Sequence, residues 1–342
     1  MLVYPKVEIR WSPSGALVQD TFITLNNDCN ADVDVQLFIV CETGAHIDNT
    51  FTVTENQPLY WSACTGDPLS LSPWTVLGDA YPDPEGSGDL IMRGFALVWA
   101  INMEYEEIRW NHLYGGATIV DYRGGSGWEY SAYSFPVVDP FIQNGQQSGS
   151  PGELYLDGDE YATGFDKLLL DFFASGSWAL STAAFGATVD TDLTLLILHN
   201  DLRQEGEGGR TTKVVFSVWN ENETLFSGME YCIDGWDETL LSLLGGHFLR
   251  QNLHTDKGRA RIDGKGSVVC PGSTDESLLG VAAKMLAFDG GDLTGTSGAM
   301  LAGAGEQDAT IFFDVQELAP EKADCEDRDE KGSSATTRQG RL

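Results

Sequence analysis

The sequence predicts an all-β chain: two antiparallel β-sandwich domains, Ig-like or jelly-roll-like, with one short helix in the second and a disordered C-terminal tail. Three observations predict it. Apolar residues recur at every second position, the period of a half-buried strand and not of a helix. Thirty-nine of the 342 residues are glycine, and Gly, Asn, Asp and Pro cluster between the alternating runs, where turns need them. The runs recur about every ten residues, as in antiparallel sandwiches.

The elements follow in order. Ser12-Pro-Ser-Gly15 and Asn26-Asn-Asp28 are turns that bracket the first strands. Val33-Asp-Val-Gln-Leu-Phe-Ile-Val-Cys41 places Val33, Val35, Leu37, Ile39 and Cys41 on one face. Phe95, Leu97, Trp99, Ile101 and Met103 do the same in the next long strand. Residues 1–139 thus form the first domain. Residues 140–152 are polar, rich in Gly and Ser, lack a strand pattern and read as a linker. In the second domain, residues 153–317, the alternation returns at Leu193, Leu195 and Ile197, at Val214, Phe216 and Val218, and at Ile311, Phe313 and Val315. Asn220-Glu-Asn222 and Asp263-Gly-Lys-Gly266 read as turns. Trp236–Leu244 reads as a helix, with Asp234 or Asp237 as N-cap, Glu238 as an early acid and Gly245-Gly246 as its stop. Residues 318–342 turn charged, then small and polar, and read as disordered.

Composition bounds the function. Sixteen Phe, 11 Tyr and 9 Trp can fill a core, so the chain is not disordered throughout. Against 20 bases stand 52 acids, a net charge of −32, which argues against nucleic acid and anionic membrane faces as partners. No apolar run approaches the roughly 18–20 residues of a membrane span. The acid excess suits a salt-rich setting, a calcium-rich extracellular one, or plain solubility. Six cysteines are present, at positions 29, 41, 64, 232, 270 and 325, with no C-x-x-C spacing. Cys41 with Cys64, and Cys232 with Cys270, are the disulfide candidates. The opening residues show no secretory signal, a basic region followed by an apolar stretch.

Several stretches carry a resemblance. Asp20-Thr-Phe-Ile-Thr-Leu-Asn-Asn, Val33–Val40, Phe51–Trp61, Leu154–Tyr161 and Val214–Glu223 resemble, in the same order, a family of secreted bacterial β-sandwich proteins of unassigned function. The resemblance implies export and a surface or matrix setting.

Motifs that carry chemistry are sparse. G-x-S-x-G and the phosphate-cradling glycine patterns are absent, and Gly124-Gly-Ser-Gly127 and Gly295-Thr-Ser-Gly298 read as turns. The five histidines form no metal box. Asp157, Asp159 and Glu160, about Gly158, are the metal candidates: carboxylates on a tight turn that could ligate calcium, although the EF-hand spacing is not met. Glu106, Trp110 and Trp128 lie where acids and aromatics concentrate, over 104–130, as a glycan site requires. The expectation is an exported, non-enzymatic surface, matrix or assembly protein, with self-association or other surface proteins and glycans as partners. The alternative is a carbohydrate-binding module or glycan-active enzyme using 104–130, and a third is a salt-adapted protein that is not exported.

Overall fold

The structure is a computed structural model and describes residues 1–66, 80–84, 86–179, 186–203, 210–288 and 294–315. The expected tail and Cys325 lie outside the described residues.

Strands dominate. The N-terminal half holds β1 (Leu2–Trp11), β2 (Leu17–Asn27), β3 (Val33–Cys41), β4 (His46–Val53), β5 (Pro58–Ser62), β6 (Tyr81–Pro82), β7 (Leu90–Ile101), β8 (Leu113–Asp121), β9 (Ser126–Ser131) and β10 (Tyr133–Ser134). They pair in the order β4-β3-β7-β1-β2-β8-β9, with β10 beside β1, β5 beside β2 and β6 beside β7. All of these pairings are antiparallel.

The C-terminal half holds β11 (Glu153–Leu156), β12 (Lys167–Phe173), β13 (Gly176–Ala179), β14 (Gly186–Ile197), β15 (Asn200–Asp201), β16 (Thr211–Asn220), β17 (Leu225–Asp234), β18 (Trp236–Leu240), β19 (Lys257–Lys265), β20 (Leu278–Phe288), β21 (Thr294–Met300), β22 (Ala302–Ala304) and β23 (Ala309–Phe312). They form three sheets: β11-β23-β15, β17-β16-β19-β12-β22, and β13-β14-β20-β21 with β18 beside β14. Among the described pairings of these strands, only β15 with β23 is parallel.

The alternation of β3 is reproduced: Val33, Val35, Leu37, Ile39 and Cys41 enter one buried cluster with Tyr4, Ile23 and Trp61. On β7, however, Phe95, Leu97, Trp99 and Ile101 enter a different cluster, with Leu154, Leu196, Leu279 and Phe313 of the second half. Ala96, Val98 and Ala100, their alternates, face the first cluster. Both faces of β7 are therefore buried, which is why its sequence is a nearly continuous apolar run. Met103, expected to extend that face, is 83% exposed. Residues 145–148 run along residues 107–109: Gly145 and Ser148 donate to the Arg109 and Glu107 carbonyls, and the Gln146 carbonyl accepts the Arg109 N–H.

Several elements differ from the sequence reading. Trp236–Leu240 is the strand β18, paired with Asp192–Leu196 of β14, and only Leu241–Leu244 forms an α-helical turn, α1. Trp236 and Glu238 are buried two residues apart, so period two governs here, and no side chain caps α1. A second short helix, α2, spans Arg250–Leu253. Gly295–Gly298 lies within β21 and Asp263–Lys265 within β19, not in turns. Each of these runs holds a glycine at a close approach. A Cβ on Gly298 would lie 1.8 Å from the Trp128 ring, and one on Gly264 would lie 2.6 Å from the Glu276 carbonyl.

Cys232 is bonded to Cys270. Cys29, Cys41 and Cys64 carry thiols, so the expected Cys41–Cys64 bridge is not formed. Cys41 ends β3 opposite Gly94 of β7, whereas Cys64 follows β5, which pairs with β2.

Candidate functional site

Strand β1 alternates Lys6, Glu8 and Arg10 with Val7 and Ile9. The apolar pair enters the N-terminal core. Its polar side would face water in a two-layer fold, but here β14 and β18 cover it. The β1–β7 register shifts between Tyr4 and Val7, and such an irregularity re-aims the neighbouring side chain. Beside it, the Pro5 carbonyl accepts the Trp236 indole N–H at 2.7 Å.

Lys6 sits at the centre. Its Nζ lies 2.6 Å from Asp192 Oδ2, 2.7 Å from Glu238 Oε1 and 3.2 Å from Glu8 Oε2. Arg10 pairs with Glu8 and reaches Asp83 Oδ2 at 2.8 Å. Arg93 bridges Glu42 at 2.7 Å and Glu238 Oε2 at 3.3 Å, with its guanidinium carbon 5.5 Å from the Trp236 ring centre. Three cations of the first half thus answer Asp192 and Glu238 of the second. Burial alone would raise the Glu8 carboxyl, but Lys6, Arg10 and Arg93 outweigh it and hold it at about 2. Burial pushes Glu238 well above the carboxylate range, and Asp192 and Glu8 add to the rise. Burial disfavours charge on Lys6, yet its three carboxylates keep it firmly protonated.

Above this floor lies a cavity of about 310 Å³ between the halves. Its wall includes Asp89, Arg123, Asp121 and Trp128, with Ala283, Met285 and Thr296 opposite. Arg123 grips Asp89 through its two terminal guanidinium nitrogens, at 2.7 and 3.0 Å. Trp128 packs over Gly298, and Thr296 Oγ1 donates to the Gly127 carbonyl at 3.2 Å. The volume is at the lower end for a small-molecule pocket. A carboxyl held low beside one pushed high is the electrostatic pattern of an acid–base pair. Structural ion networks produce the same pattern.

The glycan candidates are dispersed. Trp128 lines the cavity, while Trp110 is buried and donates its indole N–H to Asn27 Oδ1 at 3.1 Å. Glu106 accepts from Asn102 Nδ2 at 3.0 Å. The metal candidates form a turn. Asp157 Oδ1 accepts the backbone N–H groups of Asp159 and Glu160 at 2.9 and 3.0 Å, and Gly158 has φ +85°. Asp157 and Asp159 are exposed, whereas Glu160 lies against Gly149. Among the described residues, no group of three or more His, Cys, Asp or Glu is arranged to hold a metal.

Reasoning from sequence missed Lys6, Glu8, Arg10, Arg93, Asp192 and Glu238. One signal was present. Lys6, Arg10 and Arg93 are the first three bases of the chain, with twelve acids and no base between the last two. All three became the cations of one network.

No protein-family model matches the chain, and no curated protein matches it. Among solved structures, the CupB6 tip adhesin from Pseudomonas aeruginosa aligns over 91% of each chain at 10% identity, with a TM-score of 0.13. A likeness at that level carries no argument about fold or function. No helix of the described residues is long and apolar enough to cross a membrane.

Proposed function

We propose that the protein is an exported, non-enzymatic binding protein of a cell surface or extracellular matrix, built as two β-sandwiches held in one body by the Lys6 network. The observation that carries this reading is how the charges on the cleft floor are used. Glu8, Asp192 and Glu238 are engaged by Lys6, Arg10 and Arg93, which suits a structural joint better than groups poised for proton transfer. The Cys232–Cys270 bond supports an oxidising compartment. The test is fractionation of the native host with thiol labelling before lysis. The reading expects surface or medium localisation with Cys232 and Cys270 protected. Recovery inside the cell with both thiols reactive overturns it.

One observation favours a second reading, a glycan-active enzyme: Glu8 and Glu238 are shifted in opposite directions beneath Trp128. It expects hydrolysis of chromogenic glycosides that Glu8→Gln and Glu238→Gln each abolish. Turnover unchanged in both variants, or no turnover across the panel, removes it.

A further inference from the structure

The outer face of the β17-β16-β19-β12-β22 sheet departs from the charge pattern of the molecule. The chain has only 20 bases, yet Lys257, Arg259 and Arg261 line one open groove, with Lys284 reaching in from β20. The three residues of β19 alternate with Gly258 and Ala260, so their side chains share a face roughly 7 Å apart. Trp219 of β16 stands opposite Arg259 in register, with Asp171 of β12 on the other side. Phe173 stands opposite Lys257, and Lys284 Nζ lies 5.4 Å from its ring centre. The groove encloses about 1130 Å³.

Its acids are Asp171, Glu221 and Glu223, so bases exceed acids on this surface while acids exceed bases in the whole chain. Arg259 is held by Asp171 at 2.8 Å, but both side chains are about two-thirds exposed, so the pair exchanges readily with another carboxylate. Arg261 reaches Asp263 at 3.1 Å. Lys257 has no ion-pair partner among the described residues. Leu169, 41% exposed, adds apolar surface beside Trp219 and Phe173.

We propose that this groove binds an oligosaccharide bearing carboxylate groups, a uronate chain by chemical class. Arg259 and Arg261 can each grip a carboxylate through paired N–H donors. Trp219 gives a flat apolar face on which the C–H face of a sugar ring can lie. The linear array of cations on one strand suits a linear ligand with repeating charge. An acidic peptide would use the cations and leave the Trp219 face idle. The proposal extends the surface-protein reading but is tested on the purified chain, so either can fail alone.

The experiment is isothermal titration calorimetry of the full chain with an oligogalacturonate, a neutral oligosaccharide of the same length and a polyglutamate peptide. Oligogalacturonate is expected to bind, more weakly as salt rises, and the other two to bind at least about tenfold more weakly. Trp219→Ala and the pair Lys257→Ala with Arg261→Ala should each weaken binding at least about tenfold. Trp219→Phe should retain binding, and circular dichroism should show every variant folded. Asp171→Asn, which releases Arg259, should strengthen binding severalfold. No oligogalacturonate binding, equal binding of either comparison ligand, or binding indifferent to these substitutions would overturn the proposal.

Discussion

Lys6 and Glu238 meet at 2.7 Å across the junction of the two halves, and neither side chain keeps more than 3% of its surface. A polar pair this deep contributes little over an apolar one, because its charged groups lose their water. Breaking it by removing one partner is another matter. Lys6→Met leaves Glu238, Asp192 and Glu8 facing one another without their central cation. We expect it to cost about 3–5 kcal/mol in urea unfolding. Adding Glu238→Leu to Lys6→Met should cost less than the two single losses together. Additive losses would show that the pair is not coupled.

Glu107 is fully buried, and neither of its carboxylate oxygens has a hydrogen-bond partner among the described residues. Burial pushes its carboxyl up to about 8, with Glu160 adding to the rise, and burial likewise pushes Glu160 to about 8. A carboxyl whose folded pKa exceeds its unfolded value near 4.5 holds its proton longer in the folded state. Its effect is therefore a loss of stability as pH rises from about 4.5 through about 8. Glu107→Gln should remove part of that loss. Its stability relative to the parent should climb across this window, by on the order of 2 kcal/mol, and level off above it. A difference independent of pH would mean that Glu107 does not titrate as its surroundings dictate.

Glu8 works in the opposite sense. It is held at about 2 by Lys6, Arg10 and Arg93, so the stability it contributes is complete above about 4.5 and lost as pH falls towards 2. Glu8→Gln should flatten acid unfolding in that range, measured by tryptophan fluorescence at fixed urea. An unchanged acid limb would contradict the network as drawn.

Trp128 and Gly298 are matched in shape across the two halves. A methyl group at position 298 would lie 1.8 Å from the indole, so Gly298→Ala must displace the ring or part β9 from β21. We expect a loss of about 1–3 kcal/mol in thermal melting, largely recovered when Trp128→Ala is added. Failure of that rescue would place the strain elsewhere.

The Cys232–Cys270 bond joins residues 38 apart. Replacing both by Ser should lower stability by about 2–4 kcal/mol, whereas Cys41→Ser should not alter the number of thiols protected from alkylation as disulfide. Intact mass after labelling, with calorimetry, decides both.

Much of the fold was legible because a strand declares itself by period two, and β3 spans Val33–Cys41 as its alternation requires. The errors share a cause. Trp236–Leu244 pairs acids with leucines and suits a helix by propensity, but Trp236 and Glu238 are drawn into the junction between halves, and the contacts there override propensity. Gly295–Gly298 reads as a turn because glycine is permissive, yet at position 298 glycine is required by the ring above it. The candidate site was illegible for the same reason. Lys6, Glu8 and Arg10 look like the solvated side of an edge strand, and only docking of β14 and β18 buries them. Asp157 and Asp159 show the reverse. They stood out as chemistry, and the structure spends Asp157 on two backbone N–H groups of its own turn.

We expect the ion network and the cluster around Trp99 and Leu196 to join the halves into one cooperative unit. Hydrogen exchange with mass spectrometry across a urea series tests it most directly. β1 and β18 should lose protection together, at the same urea concentration, and Lys6→Met should move both. Exchange of β18 while β1 stays protected, or the converse, would contradict it.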